Sequence, residues 1–355
     1  MYYTTFIGGI VMPAMPPMGF SPLHGQEQRR SPAKEWSVLV ERVETIFQSA
    51  EHLNFPFAKI LPNGDIALNF SIGVHVTNER PLCLVSHDRG KTWEEPQEPV
   101  PSHAMAVLSD GTVVSLHWWG GEQNEDGTFS GLLRWSEDGG SAWKKKTVPI
   151  KMPRGVGPYT HRSMIAMPDD SLRCTYYSHR PGESKYHSGL LISTNRGQNW
   201  EYFADIAYDP EAPSEGYCEP VMIRLANGDL LTMLRTGGPM FQTRSTDGGN
   251  TWSKPERVMD HGVSPDLCLM SNGILVCSYG RPNAGIMFSY DGTGRNWEDA
   301  QDLYRSMGSH YTTVLELEPG LLMYYYAQSG FVGNQGPGPL NEIRVAYLRL
   351  KRLVL

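Results

Sequence analysis

Four residues widely separated in the sequence carry most of the chemistry this chain can offer: Glu219, Arg235, Arg281 and Tyr311. Guanidinium forks hold a carboxylate bidentately. A glutamate near a phenol can take or give a proton. Histidines widen the choice, with His75, His103, His117, His161, His179 and His310 as candidates for acid/base work or structure. None of this matters unless the fold gathers these side chains, so the next question is which elements hold them.

Six stretches share one pattern, an apolar run, a tight polar turn and a second apolar run. Their turns fall at Gly64, Gly111, Ser171, Gly228, Gly273 and Gly320. Two apolar runs flanking a tight polar turn predict a β-hairpin. After five of them comes the motif S-x-D-x-G-x-x-W: SHDRGKTW, SEDGGSAW, STNRGQNW, STDGGNTW and SYDGTGRNW. Asn195 replaces Asp once, and the last copy carries one extra residue. Asp or Asn can accept backbone N–H bonds across a bend, Gly supplies positive φ, and Trp buries beside them. The copies start 50, 57, 52 and 44 residues apart, the period of a four-stranded blade.

The expected fold is therefore all-β, a six-bladed β-propeller over residues 35–355. Residues 1–34 form an N-terminal arm. The segment Ile343–Leu353 supplies the third strand of the last blade, and Glu35–Phe47 its outer strand, which ties the chain ends together and covers an edge.

Within each hairpin, residues about nine before the turn and seven or eight after it meet at the far rim, roughly 23–30 Å away at ~3.3 Å per residue. The first set reads Phe55, His103, Arg162, Glu219, Ser264 and Tyr311. The second reads Ser71/Ile72, Trp118/Trp119, Ser178/His179, Arg235, Arg281 and Gln328. One mouth thus collects guanidinium, carboxyl, phenol and imidazole groups, and propeller mouths are natural ligand sites. The S-x-D-x-G-x-x-W turns belong to the opposite, structural face. Trp118 and Trp119 are either core or a platform for a sugar ring. Asp266, just after Ser264-Pro265, is a spare rim carboxylate.

The composition narrows the partners. The 355 residues carry a formal net charge of −7, with no basic block, which argues against nucleic acid. No apolar run is long enough to span a bilayer. The five cysteines are odd in number and lack CxxC spacing, and no two histidines show HxH or HxxxH spacing, so neither metal nor other cofactor is expected. The apolar N-terminus lacks a basic n-region, and a cytoplasmic location is the default expectation.

Taken together the repeats resemble the sialidase (neuraminidase) superfamily with its Asp-box, or BNR, repeats, over about residues 36–355. The resemblance implies a retaining glycoside hydrolase that releases a terminal acidic sugar. GYCEPVMIRLANGDLLTMLRT looks like the segment in which a glutamate precedes one strand and an arginine ends the next, matching Glu219 and Arg235. SHYTTVLELEPGLLMYYY is similar to the segment carrying a tyrosine nucleophile, at Tyr311, and Arg281 in YGRP stands where another substrate-binding arginine is expected. A neutral tyrosine activated by a glutamate avoids the repulsion between an anionic nucleophile and the sugar's carboxylate.

Two family features differ. Where an Arg-Ile-Pro motif would open the first blade, the chain has Asn54-Phe55-Pro56, and NFSIGVHVTNERPL holds no acid/base Asp, leaving His75 or Asp266 for that task. Arg162, His103, Trp118 and His179 complete the expected binding set. Two other readings fit the same residues. One is a lyase or histidine-assisted hydrolase of uronic-acid glycans using His103 or His161 with Tyr311. The other is a glycan-binding propeller without catalysis.

Overall fold

The computed structural model describes residues 35–74, 78–96, 99–101, 104–118, 120–305, 310–329 and 340–353. The arm 1–34, His75, His103 and Trp119 lie outside the described residues. Twenty-three strands and no helix make up the described part.

After β1 (Trp36–Ser49), the strands fall into six antiparallel units. The first holds β2 (Leu53–Ile60), β3 (Ile66–Ile72) and β4 (Arg80–Ser86), with a bridge from Val85 to Glu94 beyond it. The second holds β5 (Met105–Val107), β6 (Val113–His117), β7 (Thr128–Ser136) and β8 (Lys144–Lys151). The third holds β9 (Tyr159–Ala166), β10 (Leu172–His179), β11 (Tyr186–Ser193) and β12 (Trp200–Ala207). Next come β13 (Cys218–Arg224), β14 (Leu230–Arg235), β15 (Met240–Ser245) and β16 (Glu256–Met259). The fifth unit holds β17 (Val263–Leu269), β18 (Leu275–Gly280), β19 (Ala284–Ser289) and β20 (Glu298–Tyr304). The last consists of β21 (Thr312–Glu318), β22 (Leu321–Gln328) and β23 (Asn341–Arg352), and β1 pairs with β23 from Trp36↔Arg352 to Ser49↔Asn341. Short parallel pairings, β8 with β12 and β5 with β9, join the second and third units into one hydrogen-bonded set.

Within each unit consecutive strands pair antiparallel, so each unit is built from local pairings. Packing between units supplies the core. Leu68, Phe70 and Leu84 of the first unit bury against Tyr325, Val345 and Tyr347 of the last, and Leu231 and Met233 of the fourth against Leu275 and Cys277 of the fifth. These inner faces interdigitate as two stacked sheets do. The first strands of successive units touch in a cycle: β5 with β9, β9 with β13, β13 with β17, β17 with β21, and β21 with β2. Phe57, Met105 and Val113 pack together and join β2 to the second unit. Contacts among the first strands thus run through all six units. All five cysteines are free thiols, four of them buried.

The five S-x-D-x-G-x-x-W turns share one bonding scheme. The serine Oγ accepts the Gly N–H, at 2.7 Å in Gly90–Ser86, 2.8 Å in Gly140–Ser136 and 2.9 Å in Gly197–Ser193. It also donates to the Asp or Asn side chain, which accepts N–H groups further along, as Asp247 does from Thr251. The tryptophan N–H closes two copies, Trp200 to the Gly197 carbonyl and Trp252 to that of Gly249. In the copy with the extra residue, Trp297 bonds Gln242 instead. The turns also clasp their neighbours. Asn63 N–H bonds the Gly139 carbonyl, Arg196 pairs with Asp110, and Arg89 bonds the Leu317 carbonyl to close the girdle. Ser245 is buried, and its Oγ satisfies a buried Gly249 N–H at 2.8 Å. Ser245→Ala is expected to cost about 1–3 kcal/mol in denaturant unfolding, the penalty of an unsatisfied buried donor.

Candidate active site

At the rim opposite the girdle, backbone irregularities aim the side chains. The β2–β3, β13–β14 and β17–β18 ladders each break at the strand start, between Asn54 and Phe57, Cys218 and Val221, and Val263 and Asp266. In each break one residue takes left-handed φ before a proline: Phe55 at 54°, Glu219 at 45° and Ser264 at 46°. Proline suits the break because it has no N–H to lose from a ladder. Positive φ at non-glycine residues is uncommon and clusters at functional sites. The bulge frees each side chain from the alternation of the strand.

His310, at 43°, is the equivalent residue of the last unit. Tyr311 is therefore one place past the position of Glu219, whereas counting back from the glycine turns had put the two in register. The cause is an extra residue on β21, where the pairing with β22 shifts between Glu316 and Glu318.

Three of the expected residues meet directly. The Tyr311 hydroxyl donates to Glu219 Oε1 at 3.1 Å. Arg235 Nη1 donates to the Tyr311 oxygen at 3.0 Å and also to Glu219, while its Nη2 pairs with Glu215 at 2.8 Å. Two further guanidinium carbons stand over the Tyr311 ring, Arg281 at 5.8 Å and Arg162 at 5.9 Å. Phe55 packs edge-on at 4.4 Å. The phenol is 5% exposed and Glu219 7%, so the cluster is largely withdrawn from water.

This environment fixes the charges. Burial pushes the Glu219 carboxyl up, but Arg235, His161, Arg162 and the Tyr311 hydrogen bond together outweigh it and hold the group below the usual carboxylate range. Burial, reinforced by the Glu219 charge, pushes the Tyr311 phenol up. The resting state at neutral pH is thus phenol plus carboxylate, with the proton on tyrosine. His161 is pushed down to about 4, first by burial, against the pull of Glu219, and so is neutral at pH 7. Glu219 Oε2 and Arg235 Nε are buried without a hydrogen-bond partner. Native proteins keep such atoms chiefly where chemistry or a ligand requires them.

The remaining expected residues are placed differently. Arg162 is buried, and its two terminal nitrogens donate to main-chain carbonyls, at 2.6 Å to Thr312 and 3.0 Å to Pro56. The Asp266 carboxylate accepts from the Thr313 hydroxyl and the Val314 and Leu267 N–H groups, so it ties β17 to β21. Trp118 is core, 4% exposed between Phe129 and Tyr159 at ring distances of 5.2 and 5.1 Å. A sugar platform there is ruled out by its packing. His179 is exposed and stacks on Tyr186 at 3.8 Å. Glu215 and Phe55 were not assigned roles from the sequence; the repeated X-Pro pairs Phe55-Pro56, Glu219-Pro220 and Ser264-Pro265 are a signal that could have found Phe55.

A glycine sets the position of the phenol. A Cβ on Gly280, at the end of β18, would lie 1.8 Å from the His310 carbonyl oxygen. Gly280→Ala must therefore displace the backbone just before Tyr311. The expected result is a loss of about 1–3 kcal/mol of stability, the usual cost of overpacking, measured by urea unfolding.

The sheets and their repeated turns define a class, the all-β BNR-repeat proteins of the sialidase superfamily. Residues 100–323 match the family model described as BNR repeat-like domain, and the chain belongs to that family. A sialidase of Bacteroides fragilis (strain YCH46) is 36% identical over an aligned stretch that covers 22% of this chain and 17% of the sialidase. Among solved structures, a protein of unknown function from Dyadobacter fermentans superposes with TM-score 0.70 at 21% identity, covering 88% of this chain and 99% of that one. The Penicillium chrysogenum α-L-arabinanase gives 0.64 at 16%, covering 88% and 98%. The Streptococcus pneumoniae NanB sialidase, as its K499G mutant, gives 0.60 at 14%, covering 86% and 70%.

Proposed function

We propose that the chain is a six-bladed β-propeller glycoside hydrolase that releases a terminal acidic sugar by a retaining mechanism, with Tyr311 as nucleophile. The observation that carries this reading is the Tyr311 hydroxyl bonded at once to the Glu219 carboxylate and the Arg235 guanidinium. In the first step the phenol oxygen bonds the anomeric carbon as the bond to the leaving oxygen breaks; the leaving oxygen takes the bonding pair and a proton from solvent, and the phenol proton passes to Glu219. In the second, water oxygen bonds the anomeric carbon as the bond to the Tyr311 oxygen breaks, water gives up a proton to solvent, and Glu219 returns its proton to the phenolate. Arg281, with the donors of Arg235 that Glu215, Glu219 and Tyr311 leave free, holds the sugar carboxylate, and the clustered cations stabilise the developing phenolate. Asn54 in place of an arginine reduces the clamp to two forks, so affinity for the carboxylate rests on Arg235 and Arg281.

The reading is tested with a panel of aryl glycosides of acidic and neutral sugars. Turnover of an acidic member with retention of anomeric configuration supports it. Turnover confined to neutral sugars contradicts it, as does an unsaturated, ultraviolet-absorbing product, which signals elimination.

A further inference from the structure

Arg162 differs from the other two arginines of the cluster in what its fork faces. It extends from β9, in the third unit, and donates to the carbonyl of Pro56 in the first unit and that of Thr312 in the sixth. Thr312 directly follows Tyr311, and Pro56 directly follows Phe55, whose ring packs on the phenol. The guanidinium therefore links three units across the axis and carries the strand starts on two sides of the nucleophile. The Pro56 carbonyl sits in the break of the β2–β3 ladder, and Thr312 opens β21 opposite Tyr326.

We propose that Arg162 is a positioning residue for Tyr311, a buried charged strut that sets the phenol against Glu219 and does not bind substrate. The inference rests on the catalytic reading of Tyr311, but its geometry stands on its own. Besides fixing distance, the strut brings a positive charge to the cluster. Glu219 is faced by Arg162 and His161 from β9, Arg235 from β14, Tyr311 ahead of β21, Tyr177 from β10 and its neighbour Cys218. Arg162 is one of the charges that hold its carboxyl low.

The test uses Arg162→Met and Arg162→Lys in the full chain, with two readouts. For turnover, Arg162→Met is expected to lower kcat by about 100-fold or more, the scale of a misplaced reacting group, with KM nearly unchanged. Arg162→Lys keeps the charge but spans the two carbonyls poorly, and should fall between. The second readout needs no substrate. In protein labelled with ¹³C at glutamate Cδ, the Glu219 signal, assigned with Glu219→Gln, should titrate at higher pH in Arg162→Met and near its original pH in Arg162→Lys. A folded Arg162→Met with unchanged kcat and Glu219 titration overturns the proposal. So does a rise in KM alone, which means substrate binding, and so does failure of both variants to fold, which means a purely structural strut. If the unaltered protein turns over no glycoside, the proposed function falls while the titration still reports on the strut.

Discussion

Tyr311→Phe is expected to abolish turnover, by about 10⁴-fold or more, while leaving the fold in place. The magnitude follows from removing the atom that forms the covalent bond, after which only binding and electrostatics remain. Retention of the fold follows from the bonding. The phenol gives one hydrogen bond to Glu219 and takes one from Arg235, but those two side chains are also bonded to each other. Deleting the hydroxyl leaves the ion pair intact, and the ring keeps its contact with Phe55. Unfolding free energy should change by only about 1 kcal/mol, the net value of a hydrogen bond. Steady-state kinetics with an acidic aryl glycoside, alongside a urea melt, check both halves.

Arg235→Met is expected to have the largest effect on stability and to reverse its dependence on pH. The arginine is paired with Glu215 and Glu219, and removing one partner of a buried pair costs about 3–5 kcal/mol because the other charge is left uncompensated. In the unaltered protein Glu219 titrates below its unfolded value. It therefore contributes stability that is fully present above the unfolded pKa of roughly 4.3, and lost as pH falls through the lower, folded value. Without Arg235, burial becomes the dominant influence and raises the folded value above the unfolded one. The deficit of Arg235→Met should then be greatest near pH 7 and shrink as pH falls toward 4. Urea midpoints from pH 4 to 8 for both proteins measure this, and a pH-independent deficit would count against the charge assignment. Turnover by the variant should be lost as well, since both clamp and phenolate stabilisation go with it.

Local chemistry decided how much could be read in advance. The S-x-D-x-G-x-x-W copies and the six hairpin turns, five of them at glycine, marked where chain direction reverses, because a tight bend needs those residue types whatever surrounds it. Pairing of the terminal segments, β1 on β23, was likewise visible as an unclaimed strand at each end. The meeting of Glu219, Arg235 and Tyr311 followed from the same periodicity. What periodicity could not show was anything depending on an inserted residue or on the far end of a side chain. One extra residue on β21 moved Tyr311 a place along the rim. The reach of Arg162 to two carbonyls, and of Asp266 to Thr313, depends on which units lie across the axis. Trp118 sat at a rim position by count, yet the Phe129 and Tyr159 rings close over it, a matter of packing between strands that no spacing in one strand records. His75 and His103 lie outside the described residues.

The central claim concerns which atom attacks the sugar. A mechanism-based acidic glycosyl fluoride, carrying a second fluorine beside the anomeric centre, should form the covalent intermediate and slow its hydrolysis. Intact-mass measurement should then show one added glycosyl unit, and peptide mapping should place it on the Tyr311 oxygen. A label on any other residue, or turnover of the parent sugar with inverted anomeric configuration and no label, would contradict the account.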